Sequence, residues 1–327
     1  MESKIKICVT GGAGFIGSSF VLNAIKNHWE VLVVDKLTYA SSGNHLSQIE
    51  KNPLFKFAKE DICNFENLHC IVENFKPNFI VNFAAESHVD NSIENPKAFL
   101  DTNIYGTYNI LEIIRKLKNE NIDICLIHVS TDEVYGSLPA DGLFVEDSQY
   151  RPNSPYSASK AASDHLVRAW SKTYGIPSVV TNCCNNFGPR QHREKLIPKI
   201  IYSLLNSQKV PVYSDGKNVR EWIFVDDHNA GLIKIIKNFK PLTRYNIGSG
   251  FEKTNMQVLK EIYTQLAERK LISIDFQSTY INVQDRLGHD FRYALDSTSF
   301  RTEMDWYPET SFEKGISITI DYYTGSL

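Results

Sequence analysis

The sequence has no apolar run approaching the ~20 residues a bilayer-spanning helix needs. Its amino terminus, MESKIKICVT, leads straight into a strand-like segment without a signal-peptide pattern. Membrane and secreted classes are thereby set aside, no membrane partner is expected, and a cytoplasmic location is the simplest expectation. Charge of one sign is also lacking. The 35 Lys and Arg against 38 Asp and Glu leave a net charge of −3, and the positive residues are scattered. A nucleic-acid binder concentrates its cations on one face, so no nucleic-acid partner is expected, although room for one phosphate pocket remains. Cysteines are few: Cys8, Cys63, Cys70, Cys125, Cys183 and Cys184 form no CxxC pair and no disulfide framework. Free thiols in a reducing compartment are expected, and no metal. What is present, 42% hydrophobic and 22% charged residues over 327 positions, suits one large or two moderate folded domains.

Short β-rich runs alternate with longer helical patterns in the first half, the signature of an α/β doubly wound parallel sheet covered by helices on both faces. Strands are predicted at 5–10, 31–35, 55–58, 79–83, 124–130 and 178–182, and helices at 14–27, 65–75, 97–118 and 156–174. The stretch 97–118 reads as one long helix in which Gly106 costs ~1 kcal/mol. After residue 183 the pattern loosens, with a helix near 195–206, a strand near 210–213 and a helix near 254–266. The expected division is a nucleotide-binding domain over 1–182, with a returning segment near 222–245, and a smaller α/β substrate-binding domain over 183–327.

Residues 10–17 read TGGAGFIG, placing Gly11, Gly14 and Gly17 between a predicted strand and a predicted helix. The glycines admit a tight turn, let a pyrophosphate approach the backbone and leave the helix start open to negative charge. Asp35 ends the next strand, 18 residues past Gly17. A carboxylate there accepts hydrogen bonds from a ribose diol and repels a 2′-phosphate, so NAD is expected over NADP. Lys36, next door, softens that discrimination if its ammonium is free.

Tyr156 and Lys160 stand four residues apart in PYSASK, on one face at the start of a predicted helix. A nearby ammonium favours phenolate and turns the phenol into an acceptor for an alcohol proton. Alone, such a pair is an ordinary surface feature. Some 140 residues after TGGAGFIG, it resembles the catalytic pair of the extended short-chain dehydrogenase/reductase superfamily, which implies a Rossmann-type sheet. HVSTDEVYG supplies Thr131 as the hydroxyl partner, followed by Asp132 and Glu133. STDEVYG resembles the signature of nucleotide-sugar 4,6-dehydratases. So do NFAAESHVD (82–90), DTNIYGT (101–107), YSASKAASDHLVRAW (156–170), NNFGP with EKLIP (185–198) and NVREWIFVDDH (218–228). The resemblance spans both halves and is most specific to the branch acting on dTDP-glucose.

That resemblance implies an NAD-dependent lyase acting on a nucleoside-diphosphate sugar. Tyr156 removes the sugar 4-hydroxyl proton as hydride passes to NAD, Glu133 abstracts the carbon 5 proton, Asp132 protonates the departing 6-hydroxyl, and the hydride returns to carbon 6. Lys160 holds the nicotinamide ribose and lowers the Tyr156 pKa, and Thr131 polarises the 4-oxygen. The cofactor wall implied by the family comprises Gly11, Gly14, Phe15, Ile16 and Gly17, Asp35 and Lys36, Asp61 and Ile62, Ala84 and Ala85, Thr102, and the Tyr156/Lys160 pair. Substrate contacts are implied for Ser87 and His88, for Asn186 and Arg220 at the diphosphate, for Glu194, Lys195 and Leu196 along the nucleoside, and for Arg286 and His289. A homodimer is expected by analogy, built on the 97–118 and 156–174 helices.

The sequence departs from the family pattern with Asn182 in place of Arg, with Phe187 in place of Tyr, with Arg190, Gln191 and His192 before Arg193 where aromatic residues and Pro are usual, and with Leu287 in place of Pro. These positions bear on thymidine against uridine, which differ by one methyl group worth only ~1–3 kcal/mol. A UDP-glucose 4,6-dehydratase, or a 4-epimerase or decarboxylase of the same fold, is the nearest alternative. Asp132-Glu133 argues against the epimerase, which needs no acid/base couple at carbons 5 and 6. A non-catalytic NAD sensor is disfavoured because every catalytic side chain is present.

Overall fold

The computed structural model describes residues 5–325. Residues 1–4 and 326–327 of the two expected domain ranges lie outside the described residues. The β-rich runs form β1 (Lys6–Thr10), β2 (Glu30–Asp35), β3 (Phe55–Lys59), β4 (Phe79–Asn82), β5 (Cys125–Thr131) and β6 (Ser178–Cys183). All pair in parallel in the order β3-β2-β1-β4-β5-β6, and the strand Thr243–Ile247 adds a seventh beside β6. The order reverses between β1 and β4, and a crevice opens outside the strand carboxyl ends at such a switch point. Runs such as Val31–Val34 are apolar throughout because helices cover both sheet faces.

Helix α1 (Phe15–Lys26) lies on one face, over a core containing Phe20, Val21 and Trp29, and α2 (Phe65–Phe75) lies on the other with Leu68 and Val72. The first core also takes Ile235, Tyr245, Phe300, Met304 and Trp306. The chain therefore returns to the sheet over a longer stretch than 222–245. A separate core containing Ile201, Trp222, Leu259 and Phe312 supports the smaller part. There Asn185–Phe187, Val219–Phe224 and Glu252–Thr254 form a three-stranded sheet, and Val210–Tyr213 pairs with Tyr280–Val283. The helices Leu196–Leu205 and Asn255–Glu268 lie where the pattern predicts them.

The expected helix over 97–118 runs without a break from Pro96 to Asn119, but its winding is not uniform. The chain forms α3 (Val89–Glu94) and α4 (Pro96–Phe99), passes through a π-helical turn at Leu100–Gly106, and only then forms α5 (Thr107–Asn119). Packing explains the irregular turn. A Cβ on Gly106 would stand 2.4 Å from Ile62 Cδ1, and Thr107 Oγ1 donates to the Asn103 carbonyl at 2.7 Å. Helix α6 (Pro155–Tyr174) is started by a reciprocal Ser154/Ser157 capping box with proline in the first turn, and ended by Gly175 at φ 65°.

Candidate active site

The loops after β1 to β6 surround one cavity of about 300 Å³. Its β1 end is built by glycine. Gly11 has φ 69°, and a Cβ there would stand 2.6 Å from Ala84 N; a Cβ on Gly17 would stand 2.3 Å from the Gly11 carbonyl oxygen. Gly14 begins α1, and no side chain caps that helix start. A backbone cradle closed to side chains and an uncapped helix amino terminus fit a pyrophosphate. Phe15 and Ile16 line the same wall. Asp35 is fixed by its neighbours: Ala13 N–H donates to Oδ2 at 3.0 Å and Leu37 N–H donates to Oδ1 at 2.8 Å. Lys36 is engaged, 3.6 Å from both Asp61 and Glu86 and donating to Thr102 Oγ1 at 3.3 Å. Ile62, Ala84 and Ala85 complete this wall. The residues fit NAD along this side of the cavity.

Thr131, Asp132, Glu133, Tyr156 and Lys160 all line the opposite end. β5 delivers the first three through a tight turn, Asp132–Tyr135, in which Glu133 N–H donates to Thr131 Oγ1 at 3.3 Å. Thr131 Oγ1 donates to Asp132 Oδ1 at 3.1 Å, while Asp132 Oδ2 is buried without a partner. Burial, then the nearby Glu133 and Glu221 carboxylates, push Asp132 well above the usual carboxylate range. Glu133 is also raised by burial, but Arg286, Arg220 and Lys195 pull the other way. Both neighbours are thus pushed up by burial, Asp132 further by acidic neighbours, Glu133 against three opposing cations.

Lys160 Nζ donates to the Val129 carbonyl at 2.9 Å, and burial lowers its pKa while Asp164 opposes. The expectation that Lys160 brings the Tyr156 phenol down is not met in the protein alone. Burial, then the Glu133 charge, push the phenol well above its ordinary value, and a hydrogen bond with Thr131 opposes them. The reason is geometric: the ammonium is turned to a backbone carbonyl, and water, which would stabilise phenolate, is excluded.

On the substrate side, Ser87, Asn186, Glu194 and Lys195 line the cavity. Lys195 Nζ donates to the Ser87 carbonyl at 2.8 Å, joining the two parts of the protein across it. Asn186 Oδ1 is buried without a partner. Arg220 is buried, donating to the Asp290 carbonyl at 3.0 Å and packed 4.4 Å from the Tyr293 ring centroid. Arg286 lies 3.7 Å from Asp90, and His289 Nδ1 sits 2.6 Å from Asp285 Oδ1. Leu196 begins the Leu196–Leu205 helix, and His88 accepts Asn91 N–H at 3.3 Å as the cap of α3. Leu196, His88, Arg220, Arg286 and His289 stand outside the cavity lining, although both arginines act on Glu133.

Phe187 packs among Trp222, Phe224 and Phe312, a dry setting with no demand for a tyrosine hydroxyl. Leu287 is 76% exposed beside Gly288, whose φ is 63°. Several residues at the site escape sequence reasoning. Asn103 accepts Glu86 N–H at 2.9 Å and donates to the Glu86 carbonyl and to Ser159 Oγ, clamping the β4 loop to α6. The misfit of Gly106 within a helical pattern is the available signal for that turn.

A family model described as GDP-mannose 4,6 dehydratase matches residues 8–319. The chain is 44% identical to the dTDP-glucose 4,6-dehydratase of Neisseria meningitidis serogroup B, covering 97% of this chain and 93% of that protein. Among solved structures, the dTDP-glucose 4,6-dehydratase of Streptomyces venezuelae, solved with NAD bound, superimposes with a TM-score of 0.91 at 39% identity. That match covers 98% of this chain and 97% of that one. A UDP-glucose 4-epimerase of Thermus thermophilus, solved with NAD, has a TM-score of 0.88 at 27% identity, covering 99% of this chain and all of that one.

Proposed function

The chain belongs to the GDP-mannose 4,6 dehydratase family, with dTDP-glucose 4,6-dehydratases among its full-length relatives, and from that premise we infer that it catalyses the NAD-dependent dehydration of dTDP-glucose to the 4-keto-6-deoxy sugar. The observation that carries this reading is the Asp132-Glu133 couple, two adjacent carboxyls in the cavity that also holds Tyr156, of which Asp132 is raised well above its usual range while three cations oppose the rise at Glu133. Groups whose surroundings drive their pKa values apart divide into acid and base.

NAD, held by the Gly11–Gly17 turn and Asp35, would supply the hydride acceptor for carbon 4 and donor for carbon 6, and a cationic ring that would favour ionisation of the phenol. Tyr156 Oη takes the 4-hydroxyl proton. Thr131 Oγ1, within hydrogen-bond reach of Tyr156, orients the 4-oxygen. A ketone at carbon 4 acidifies the hydrogen at carbon 5, the Glu133 carboxylate takes that proton, and carbon 5 is reprotonated once the hydride is on carbon 6. The three cations around Glu133 sustain the charge it needs as a base. Asp132, kept protonated by burial and by its acidic neighbours, gives its proton to the leaving 6-hydroxyl. Arg220, Asn186, Glu194 and Lys195 hold the nucleoside diphosphate, so that binding energy remote from the reacting carbons orients the hexose. Ser87 adds to the substrate wall, and Arg286 acts on Glu133 from outside it.

In the same reading the protein works in the cytoplasm as a homodimer. The free cysteines support the first assignment. The second rests on an aromatic surface along the π turn, α5 and α6, where Leu100, Tyr105 and Tyr174 are exposed. Tyr108 stacks on Tyr105, and Trp170 stands edge-on to both Tyr108 and Tyr174. Apolar patches of this kind mark interfaces.

The test is to incubate the protein and its Glu133→Gln variant with dTDP-glucose and UDP-glucose and to follow the quenched sugar nucleotides by mass. The unaltered protein should convert dTDP-glucose to a product lighter by one water. E133Q should accumulate the oxidised nucleotide, lighter by two hydrogens, with dehydration slowed by about 10²–10⁴. Dehydration by E133Q at the original rate removes Glu133 from the elimination step, and faster turnover of UDP-glucose reassigns the nucleotide.

A further inference from the structure

Behind Lys160 lies a polar network that the reaction as described does not use. It starts at the end of β1. Thr10 Oγ1 donates to Asn82 Oδ1 on β4 at 2.6 Å, and Asn82 Nδ2 meets His128 Nδ1 on β5 at 3.2 Å. The three residues are register partners across the sheet. His128 Nε2 is then 3.1 Å from Ser163 Oγ and 3.4 Å from Asp164 Oδ1 on α6. The ring accepts from Asn82 at Nδ1, so it carries its hydrogen on Nε2 and donates it to Ser163 Oγ, which itself donates to the Lys160 carbonyl at 2.8 Å; Asp164 Oδ1 lies beside that hydrogen bond.

Asp164 is the hub. Its side chain is fully buried, and Oδ2 accepts from Ser130 Oγ at 2.9 Å, from Tyr150 Oη at 2.7 Å and from Asn182 Nδ2 at 3.3 Å. Asn182 Nδ2 also donates to the Thr131 carbonyl at 3.0 Å. Three donors, from β5, β6 and the Tyr150 loop, converge on Oδ2 of one buried carboxyl, and donors of that kind favour its ionised form. Asp164 lies one helical turn beyond Lys160, on the same face of α6.

We propose that Asp164 is a positioning residue for the reaction: it is the buried anion that keeps Lys160 charged, and through Asn182 it fixes the strand end that presents Thr131. This rests on the dehydratase reading of the site. The groups facing Lys160 and Asp164 are His128 on β5, Cys183 on β6, and Tyr135 and Tyr150 from the loops after β5, with Arg244 of the seventh strand stacked on Tyr150. Burial lowers His128 and raises Cys183 to about 12, so both are neutral at working pH. Burial opposes charge on Asp164 as well, yet the polar His128 side chain, the charge of Lys160 and the Tyr150 hydrogen bond hold its carboxyl below the usual range. Asp164 is therefore the negative charge balancing Lys160 in this buried setting.

Asp164→Asn keeps the size of the side chain and removes the charge. Lys160 should then lose its proton more readily, and without that cation Tyr156 should ionise at higher pH. Two readouts test this. In the kcat profile for dTDP-glucose, the acid limb should move up by about one pH unit or more, with KM changed less than about threefold. In near-ultraviolet titration of the NAD-loaded protein without substrate, the phenolate signal lost on Tyr156→Phe should move up in D164N by a similar amount. A kcat loss with unmoved limbs, or a downward shift of the phenolate, overturns the proposal. Should D164N fail to fold, Tyr150→Phe combined with Ser130→Ala strips two donors from the carboxylate and should move both readouts upward by less; no movement overturns it equally. Failure of the unaltered protein to dehydrate dTDP-glucose would instead count against the dehydratase reading, which the phenolate titration does not need.

Discussion

Asp132 and Glu133 follow each other in the chain, yet their surroundings differ: acidic neighbours for one, three cations for the other. The raised Asp132 pKa has a stability consequence with a definite sign. An unfolded Asp loses its proton near pH 4, whereas the folded protein retains it to higher pH. Between those values the folded state binds more protons, so the contribution of Asp132 to stability falls as pH rises from about 4 toward the folded value. Asparagine does not titrate. Asp132→Asn should therefore unfold at a temperature whose difference from the unaltered protein becomes more favourable by a few degrees between pH 4 and pH 8, while dehydration slows by about 10²–10⁴. Calorimetry across that range checks it, and a pH-independent difference would show that Asp132 is ionised when folded.

Among the elements, the glycine turn and α1 carry the strictest geometric demand. A methyl on Gly17 meets the Gly11 carbonyl oxygen at 2.3 Å and Gly12 Cα at 2.9 Å, both backbone, whereas a methyl on Gly14 meets only Gly11 O at 3.2 Å. Backbone has little room to yield, and overpacking costs about 1–3 kcal/mol. If that strain is expressed in the cradle, Gly17→Ala should weaken NAD binding by roughly 10–100-fold. Gly14→Ala should stay within about threefold, since its contact needs a shift of only a few tenths of an ångström. Titration calorimetry with NAD separates the two, and equal losses would mean that the helix start, rather than the turn, sets affinity. The π turn at Leu100–Gly106 answers a similar demand from packing: Gly106 lets Ile62 approach, and Asn103 is turned inward to hold Glu86.

At the scale of the whole molecule, the π turn, α5 and α6 carry both inward and outward functions. Their inner faces hold Thr102, Asn103, Tyr156 and Lys160, and their outer surface carries the aromatic ladder from Tyr105 to Tyr174. A dimer through that surface would stiffen the segments that position the catalytic pair. Leu100→Asp with Tyr105→Asp places two charges on the patch without touching the cavity lining. Light scattering should show the variant as a monomer where the unaltered protein is a dimer, with kcat reduced about tenfold or less. A variant that remains dimeric assigns the interface elsewhere.

What the sequence determines by itself is what local chemistry encodes. The glycine spacing, the Ser154-Pro155 helix start, the single turn between Tyr156 and Lys160, and the apolar strands of a sheet covered on both faces each depend on residues within a few positions of one another. The resemblance of STDEVYG to a known signature adds roles to those positions. What the tertiary structure decides depends on partners far apart in the chain. Val219–Phe224 escaped the strand pattern because Arg220 and Glu221 look solvent-facing, while the fold buries both against Asp290 and against the Gly250 and Leu295 amides. The regular α-helical winding expected of 97–118 gives way to a π-helical stretch where Gly106 packs on Ile62, and the lowered phenol expected from Lys160 was lost to burial. Asp164 became a hub only when β5, β6 and the Tyr150 loop converged on it. Burial and the convergence of charges arise from packing between distant segments, and they set the proton affinities on which this chemistry turns.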